Sequence, residues 1–421
     1  MRILQVNHFG HRVGGGEAYI AEVHRALVDS GESTLLAYCE PELETPMVRE
    51  SLSLAHSGTP AHRRRGLIEN LRRILAEWMP DAVYIHAVYT PAIIKYLASR
   101  LPTVAYIHSP YPVCLGSAYY LRRSNAPCNR AFGPYCLLQA QTESCCWGRN
   151  PARHAAALAR ACALRRAYRK VGTIVVGSEY MRDLLVRNKY AAQNIGILPP
   201  VLLTGPTPRS RPKQDRSMLL FAARLVREKG LHLLLEALAQ VEVRWTLLVA
   251  GDGEEKPNLQ RLARKLGIGD RVRFLGFLDA NMMSAMLELC AFVVIPSLWP
   301  EPFGRLGPEA SMYAKPAIAF DVGGIGSWLD DGVTGYLVSL GDVTGLARAV
   351  TDLLLQPDLC LAMGEKARKK AEIEWGREHH MNQLSNLFSQ RICAGHAETH
   401  QQTARNGVVS EQDMASWNDA Q

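Results

Sequence analysis

The sequence predicts two doubly wound α/β domains facing one cleft. Three observations predict them. Short apolar runs alternate with amphipathic stretches, the pattern restarts after a proline-rich segment, and 421 residues are too many for one ordinary core. In the first half the runs Ile3–Val6, Leu35–Tyr38, Ala82–Ile85, Thr103–Ile107 and Thr173–Val176 read as buried strands. Helical patterns lie between them at Glu17–Asp29, Leu67–Trp78 and Ala155–Arg169. The stretch from Leu198 to Lys213 is rich in proline and charge and reads as a linker over 201–216. Strands are then expected at Met218–Ala222, Thr246–Ala250, Val272–Leu275, Phe292–Ile295 and Ala317–Phe320. This gives a first domain over 1–200, a second over 217–376, a helix over 377–394 that packs back on the first domain, and a polar, disordered tail over 395–421. In parallel sheets ligands bind beyond the carboxyl ends of strands, so chemistry is sought at strand-to-helix turns.

The composition is that of a globular protein, with 48% hydrophobic and 21% charged residues. A net charge of +8 favours anionic partners such as phosphates, nucleotides and anionic membrane surfaces. The first residues lack the long apolar segment of a secretion signal, and no apolar run is long enough to span a membrane. A cytoplasmic protein with its ten cysteines reduced is expected.

The densest constellation is Pro296-Ser-Leu-Trp-Pro-Glu301-Pro-Phe-Gly-Arg-Leu-Gly-Pro-Glu309-Ala310. It follows a predicted strand, and Pro308 suits the first residue of a helix, where its missing N–H costs nothing. Glu309 then lies in the first turn. The backbone from Phe303 to Leu306 can aim N–H groups at a ligand, with Gly304 allowing close approach. The two carboxylates can touch different parts of one extended ligand. Equally, Glu309 can serve the helix dipole and Glu301 can be a solvated loop residue.

Glu301 and Glu309, inside Glu-Pro-Phe-Gly-x-x-x-x-Glu-Ala, resemble the motif of the retaining family-4 glycosyltransferases of the GT-B fold, which has two Rossmann-like domains. The resemblance implies that Glu301 sits beside the transferred sugar and Glu309 grips the ribose hydroxyls of a nucleotide. It implies that the amides of Phe303, Gly304, Arg305 and Leu306 line the sugar and phosphate site. Phe221-Ala-Ala-Arg224-Leu-Val-Arg-Glu-Lys229-Gly230 is similar to the family's Gly-Arg-Leu-x-x-x-Lys-Gly element, with Ala223 where glycine is usual. Arg224 and Lys229 are thereby implied to clamp the diphosphate, whose charge grows as the nucleotide leaves. A lysine at a helix start opposes the helix dipole, which favours a ligand-related reason for Lys229 over a solvated surface position.

Gly251 and Gly253 resemble the family's glycines beside the nucleotide, although a turn explains them equally well. Gly323-Gly324-Ile325 and Asp331–Val338 resemble its closing turns, with Gly326-Ser327 where Pro-Glu is frequent. In the first half, Val13-Gly14-Gly15-Gly16-Glu17 resembles the family's glycine-rich turn bordering the donor phosphates, which implicates Gly15 and Gly16. Glu17 reads as a first-turn charge. The absence of G-x-G-x-x-G argues against a dinucleotide cofactor. His108 ends a predicted strand where the family often has a histidine near the transferred sugar. His8 and His86 also end strands.

Cys114, Cys128, Cys136, Cys145 and Cys146 fall in one loop rich in glycine, proline and arginine, which is expected to shape the acceptor site. They could hold a structural Zn²⁺, remain free thiols or form a disulfide, and their spacings do not match the usual C-x₂₋₄-C pairs. The basic, amphipathic stretch His62–Met79 fits either a contact with anionic lipid or a core-facing helix with a solvated side.

The resemblance covers the chain to about residue 390. It implies a transferase that moves a sugar from a UDP- or GDP-sugar to a carbohydrate or lipid-linked acceptor in cell-surface polysaccharide or glycolipid synthesis. It implies that no cofactor is required, and no nucleic acid partner is expected. A nucleotide-sugar epimerase or phosphorylase of the same fold, or a degenerate binding subunit, shares these features.

Overall fold

The computed structural model describes residues 1–11, 14–41, 46–48, 50–55, 60–146, 148, 150–202 and 216–394, with the backbone alone for 60–64. Most of the linker and the whole of the tail read from the sequence lie outside these residues, as does Val13. The chain forms two compact units. The first comprises Met1–Tyr106, Arg166–Val175 and the chain from Met381; the second comprises Ile107–Arg165 and Val176–His380. The division is not a single cut at the linker, because residues 107–165 pack with the later half of the chain.

In the first unit β1 (Arg2–Asn7), α1 (Gly15–Asp29), β2 (Ser33–Tyr38), β3 (Ser51–Ser53), α2 (Pro60–Trp78), β4 (Ala82–Ile85), α3 (Pro91–Ala98) and β5 (Thr103–Tyr106) follow in order. The chain then forms the antiparallel pair β6 (Tyr120–Leu121) and β7 (Ala126–Pro127), α4 (Cys136–Thr142) and α5 (Pro151–Tyr168), and returns as β8 (Thr173–Val176). The first unit's strands are parallel in the order β3-β2-β1-β4-β5-β8. Strand β1 is central, with Ile3 opposite Thr34 of β2 and Ala82 of β4. Ile3, Leu4 and Val6 are fully buried, as a strand covered on both faces requires. Gln5 is also buried, and it is satisfied by His24, Thr34 and His86.

A helix over 377–394 brings the chain back to this unit. Its Leu384 and Phe388 are fully buried, and the Phe388 ring meets that of Tyr84 edge-on at 5.5 Å. Helix α2 directs Leu71 and Ile74 into the core. Its Arg72 stays on the outer face, 3.4 Å from Glu69 and over the ring of Tyr96. That is the core-facing arrangement of a basic amphipathic helix.

The second unit continues with α6 (Glu179–Arg187), β9 (Ile195–Ile197), β10 (Met218–Ala222), α7 (Leu231–Leu238), β11 (Thr246–Ala250), α8 (Lys256–Lys265), β12 (Val272–Gly276) and α9 (Ala280–Leu289). It ends with β13 (Phe292–Ile295), α10 (Leu306–Met312), β14 (Ala317–Phe320), β15 (Gly335–Val338), α11 (Val343–Leu355) and α12 (Pro357–Glu374). Its sheet is parallel in the order β12-β11-β10-β13-β14-β15. The strand order reverses at β10, which pairs with β11 on one side and β13 on the other. The loops after β10 and β13 therefore leave neighbouring strands at the switch point, where doubly wound folds bind ligands. Both units are Rossmann-like.

Truncating Phe388→Ala should cost roughly 3 kcal/mol, because a large ring is removed from a closed core. Urea unfolding would measure it, and a loss below about 1 kcal/mol would show that the returning helix carries little of the first unit's core.

Candidate active site

Two loops build the site. The first leaves β10. Its backbone runs Ala223-Arg224-Leu225, makes a 3₁₀ turn at Arg227–Lys229 and enters α7 through Gly230. Gly230 has φ +71°, and a Cβ there would lie 1.7 Å from the carbonyl oxygen of Pro296. Only glycine lets this turn approach the loop after β13 so closely. The second loop answers with the amides of Leu298 and Trp299, which donate to the carbonyl of Glu228 at 2.9 and 3.3 Å.

Glu301 stands where these loops meet. Its carboxylate Oε1 accepts from the Lys229 ammonium at 2.6 Å and from the Ser297 hydroxyl at 2.7 Å. The two side chains of the ion pair are only 9% and 15% exposed, so the pair is largely shielded from water. The Lys229 ammonium also lies 4.6 Å from the centre of the Trp299 ring, a cation–π contact. Lysine carries three N–H donors. One is spent on Glu301, and the rest of the charge is held in a fixed place. Glu301 is therefore not a solvated loop residue.

The backbone of Glu301 is fixed from behind. Gly324 donates its amide to the carbonyl of Glu301 at 2.7 Å. Gly323 has φ +63°, and a Cβ there would fall 2.5 Å from the Glu301 backbone nitrogen and oxygen. One residue on, the Ser178 hydroxyl donates to the carbonyl of Pro302 at 2.5 Å while also capping α6. The Trp328 indole donates to the carbonyl of Phe303 at 2.6 Å. The loop 301–303 is thus held by two separate segments of the unit, Ser178 and the turn Gly323–Trp328.

Helix α10 begins at Leu306, two residues before the start expected from Pro308. Pro308 still fits, because the first four amides of a helix have no internal partner. Gly304, with φ +85°, makes the bend into it. Glu309 lies in the first turn, and Arg305 forks onto its Oε1 through Nη2 at 2.8 Å and Nε at 2.9 Å. His108, half-buried in the same unit, has its pKa lowered to about 3, by burial first and the positive charge of Arg305 second. It is a neutral imidazole at pH 7, a hydrogen-bonding group rather than a cation.

Residues 207–370 match the family described as "Glycosyl transferases group 1", and residues 14–200 match "Glycosyl transferase 4-like domain". The chain belongs to the family-4 glycosyltransferases of the GT-B fold. It is 31% identical over 177 residues to the α-D-kanosaminyltransferase of Streptomyces kanamyceticus, covering 41% of this chain and 46% of that protein. It is 31% identical over 164 residues to the lipopolysaccharide core biosynthesis glycosyltransferase LpsE of Rhizobium meliloti, covering 39% of this chain and 47% of that one. The matched stretch thus spans about half of each relative's length. In structure it resembles Anabaena HepE, solved with UDP and glucose, with a TM-score of 0.68 and 20% identity over 93% of this chain and all of that one.

Among the other residues expected to serve a glycosyltransferase site, Arg224 is exposed at the end of β10. Gly251 and Gly253 have a structural reason of their own. Cβ atoms there would lie 2.0 Å from the Ala223 carbonyl oxygen and 2.4 Å from that of Leu225. The glycines let the turn after β11 close against the Arg224 loop, and Leu225 donates to the carbonyl of Asp252 at 2.8 Å. Gly15 and Gly16 belong to the first unit, where they open α1. Glu17 folds back onto the Gly14 amide at 3.0 Å, and burial raises its pKa. That is a helix-capping role. His86 is buried and bonded to Gln5 in the first unit.

In the second unit, Cys114, Cys128, Cys136 and Cys145 line one small pocket with Tyr119, Tyr120 and Gln139, and all ten cysteines are free thiols. Burial pushes the Cys114 thiol up to about 11 and the Cys145 thiol to about 12. Among the described residues no three His, Cys, Asp or Glu side chains are placed to hold a metal ion. The same loop reaches the loop after β10, because Tyr120 packs in the core with Phe221 and Leu225, and Arg122 lies 3.5 Å from Glu228. Sequence reasoning missed Ser297, Trp299, Ser178, Trp328 and the side chain of Arg305. For Ser297 and Trp299, their place inside the Pro296–Glu301 loop was the available signal.

The low pKa of His108 sets a pH dependence. Free imidazole protonates near pH 6.5, whereas folded His108 stays neutral down to about pH 3. Between these values the unfolded chain binds the extra proton, so stability is full above about pH 6.5 and falls as the pH drops. His108→Gln should lose less stability than the wild type when urea midpoints at pH 7 and pH 4.5 are compared. Equal losses would show that His108 titrates normally.

Proposed function

We propose that this protein transfers a sugar from a UDP- or GDP-sugar to a carbohydrate or lipid-linked acceptor, with retention of anomeric configuration. The observation that carries the reading is the Lys229–Glu301 pair at 2.6 Å at a sheet switch point, with exposed Arg224 on the same loop as Lys229. Glu301 would face the sugar, and Arg224 and Lys229 the diphosphate. Phe303 to Leu306 would present backbone amides, Glu309 would take the ribose, and His108 would offer a neutral ring to the sugar hydroxyls. Residues 217–376 are assigned to the donor, and residues 1–200 to acceptor recognition.

In this reading the acceptor hydroxyl attacks the anomeric carbon on the face the nucleotide is leaving. The carbon–oxygen bond to the β-phosphate breaks, and the hydroxyl proton passes to the departing phosphate oxygen. The growing negative charge would meet Lys229, fixed and partly closed to water, and the exposed guanidinium of Arg224. Arg224 and Lys229 supply that charge without a metal ion. The HepE structures contain UDP, UDP with glucose, or UDP-glucose, which supports a nucleotide-sugar donor here. The relative named for lipopolysaccharide core biosynthesis supports a role in surface glycan synthesis. No helix among the described residues is long and apolar enough to cross a membrane. A cytoplasmic enzyme fits, one that meets a lipid-linked acceptor at an anionic membrane face.

A panel of UDP-, GDP- and ADP-sugars should contain one that raises the melting temperature and is hydrolysed or transferred. Arg224→Ala should lower kcat/KM for that donor by about a hundredfold, and EDTA should leave the rate unchanged. A rate abolished by chelation, or unaffected by Arg224→Ala, would contradict the mechanism. No binding and no hydrolysis of any donor would favour a degenerate binding subunit.

A further inference from the structure

Arg305 is poorly explained by local stability. It is the residue that caps the amino end of α10, where a cation opposes the helix dipole. An Arg–Glu pair four residues apart on a helix returns only about 0.3–0.5 kcal/mol when exposed. Yet the Arg305 side chain is only 16% exposed, and it commits two donors to a single carboxylate oxygen of Glu309. Glu309 itself is one-third exposed. Both contacts from Arg305 fall on Oε1 and neither on Oε2.

We propose that Arg305 is a positioning residue: its guanidinium pins Oε1 of Glu309 and thereby presents Oε2 to the ribose hydroxyls of the donor nucleotide. This rests on the reading of Glu309 as the ribose-binding carboxylate. A free glutamate samples several rotamers and loses that freedom when a ligand binds. Here part of that loss is already made in the ligand-free protein, because two donors of one guanidinium converge on Oε1 and fix its position. A ribose has two adjacent hydroxyls, each able to donate, and an ionised carboxylate only accepts. Arg305 also carries its charge near His108, where it adds to the larger effect of burial in keeping that ring neutral. The residues expected to meet sugar and ribose are thus joined by one cation.

The test is calorimetric binding of UDP and GDP, each compared with its 2′,3′-dideoxy form, to wild type, Arg305→Leu, Arg305→Lys and Glu309→Gln. Arg305→Leu should weaken the preferred nucleoside diphosphate by about tenfold, the scale of a lost hydrogen bond to a charged group. It should weaken the dideoxy form by less than about twofold, since that nucleotide has no hydroxyl for Glu309 to hold. Glu309→Gln should show the same pattern. Arg305→Lys, which keeps the charge but not the fork, should recover only part of the loss. With the donor sugar, Arg305→Leu should raise KM more than it lowers kcat. Equal weakening of the hydroxylated and dideoxy nucleotides would overturn the proposal and place Arg305 on the phosphates or in the fold. A wild type that binds neither UDP nor GDP, with or without hydroxyls, would instead overturn the reading of the site on which the proposal stands.

Discussion

The second unit depends on an ion pair that water barely reaches. Lys229 and Glu301 come from loops that leave adjacent parallel strands, and their 2.6 Å contact joins those loops at the sheet's switch point. Removing two charges from water is costly, and a buried pair repays the cost only with good geometry and further hydrogen bonds. Both are present, in Ser297 on the carboxylate and Trp299 beneath the ammonium. Buried pairs are seldom the cheapest way to stabilise a fold. This one holds a cation in a fixed position. A cation already in place needs no reorganisation when charge develops, which is the basis of electrostatic preorganisation.

Around that pair the structure uses backbone against backbone. Gly230 admits the Pro296 carbonyl, Gly323 admits the backbone of Glu301, and Gly251 and Gly253 admit the Arg224 loop. In each case a methyl group would collide with main-chain atoms, which cannot swing aside as a side chain can. The glycines therefore set where the charged side chains start, and the ion pair and the Trp328 bond to Phe303 set where they end. Arg305 and Glu309 extend the same logic into α10, and the charge of Arg305 adds to the burial that keeps His108 neutral.

Much of this is legible in the sequence. Central strands such as Phe292–Ile295 and Ala317–Phe320 are continuous apolar runs, because a parallel sheet covered on both faces leaves no polar side to interrupt them. Glu301, Glu309, Arg224 and Lys229 are visible because their chemistry and spacing are carried by the chain itself. The strands Ser51–Ser53, Tyr120–Leu121 and Ile195–Ile197 are not, since two or three residues are too few to show a period. The start of α10 is misplaced by two residues because a proline fits any of a helix's first positions. The partners of Glu301 are hidden for a different reason. Lys229 is 72 residues away, and only the pairing of β10 with β13 brings it near. The grouping of residues 107–165 with the later half is likewise a matter of packing, carried by contacts such as Tyr120 against Leu225.

A crystal structure with an intact nucleotide sugar tests the central claim most directly. The account predicts a diphosphate oxygen within hydrogen-bond distance of Lys229 Nζ, the Lys229–Glu301 contact retained, and the sugar against Glu301. A diphosphate bound elsewhere, with Lys229 still buried against Glu301 and out of its reach, would contradict it.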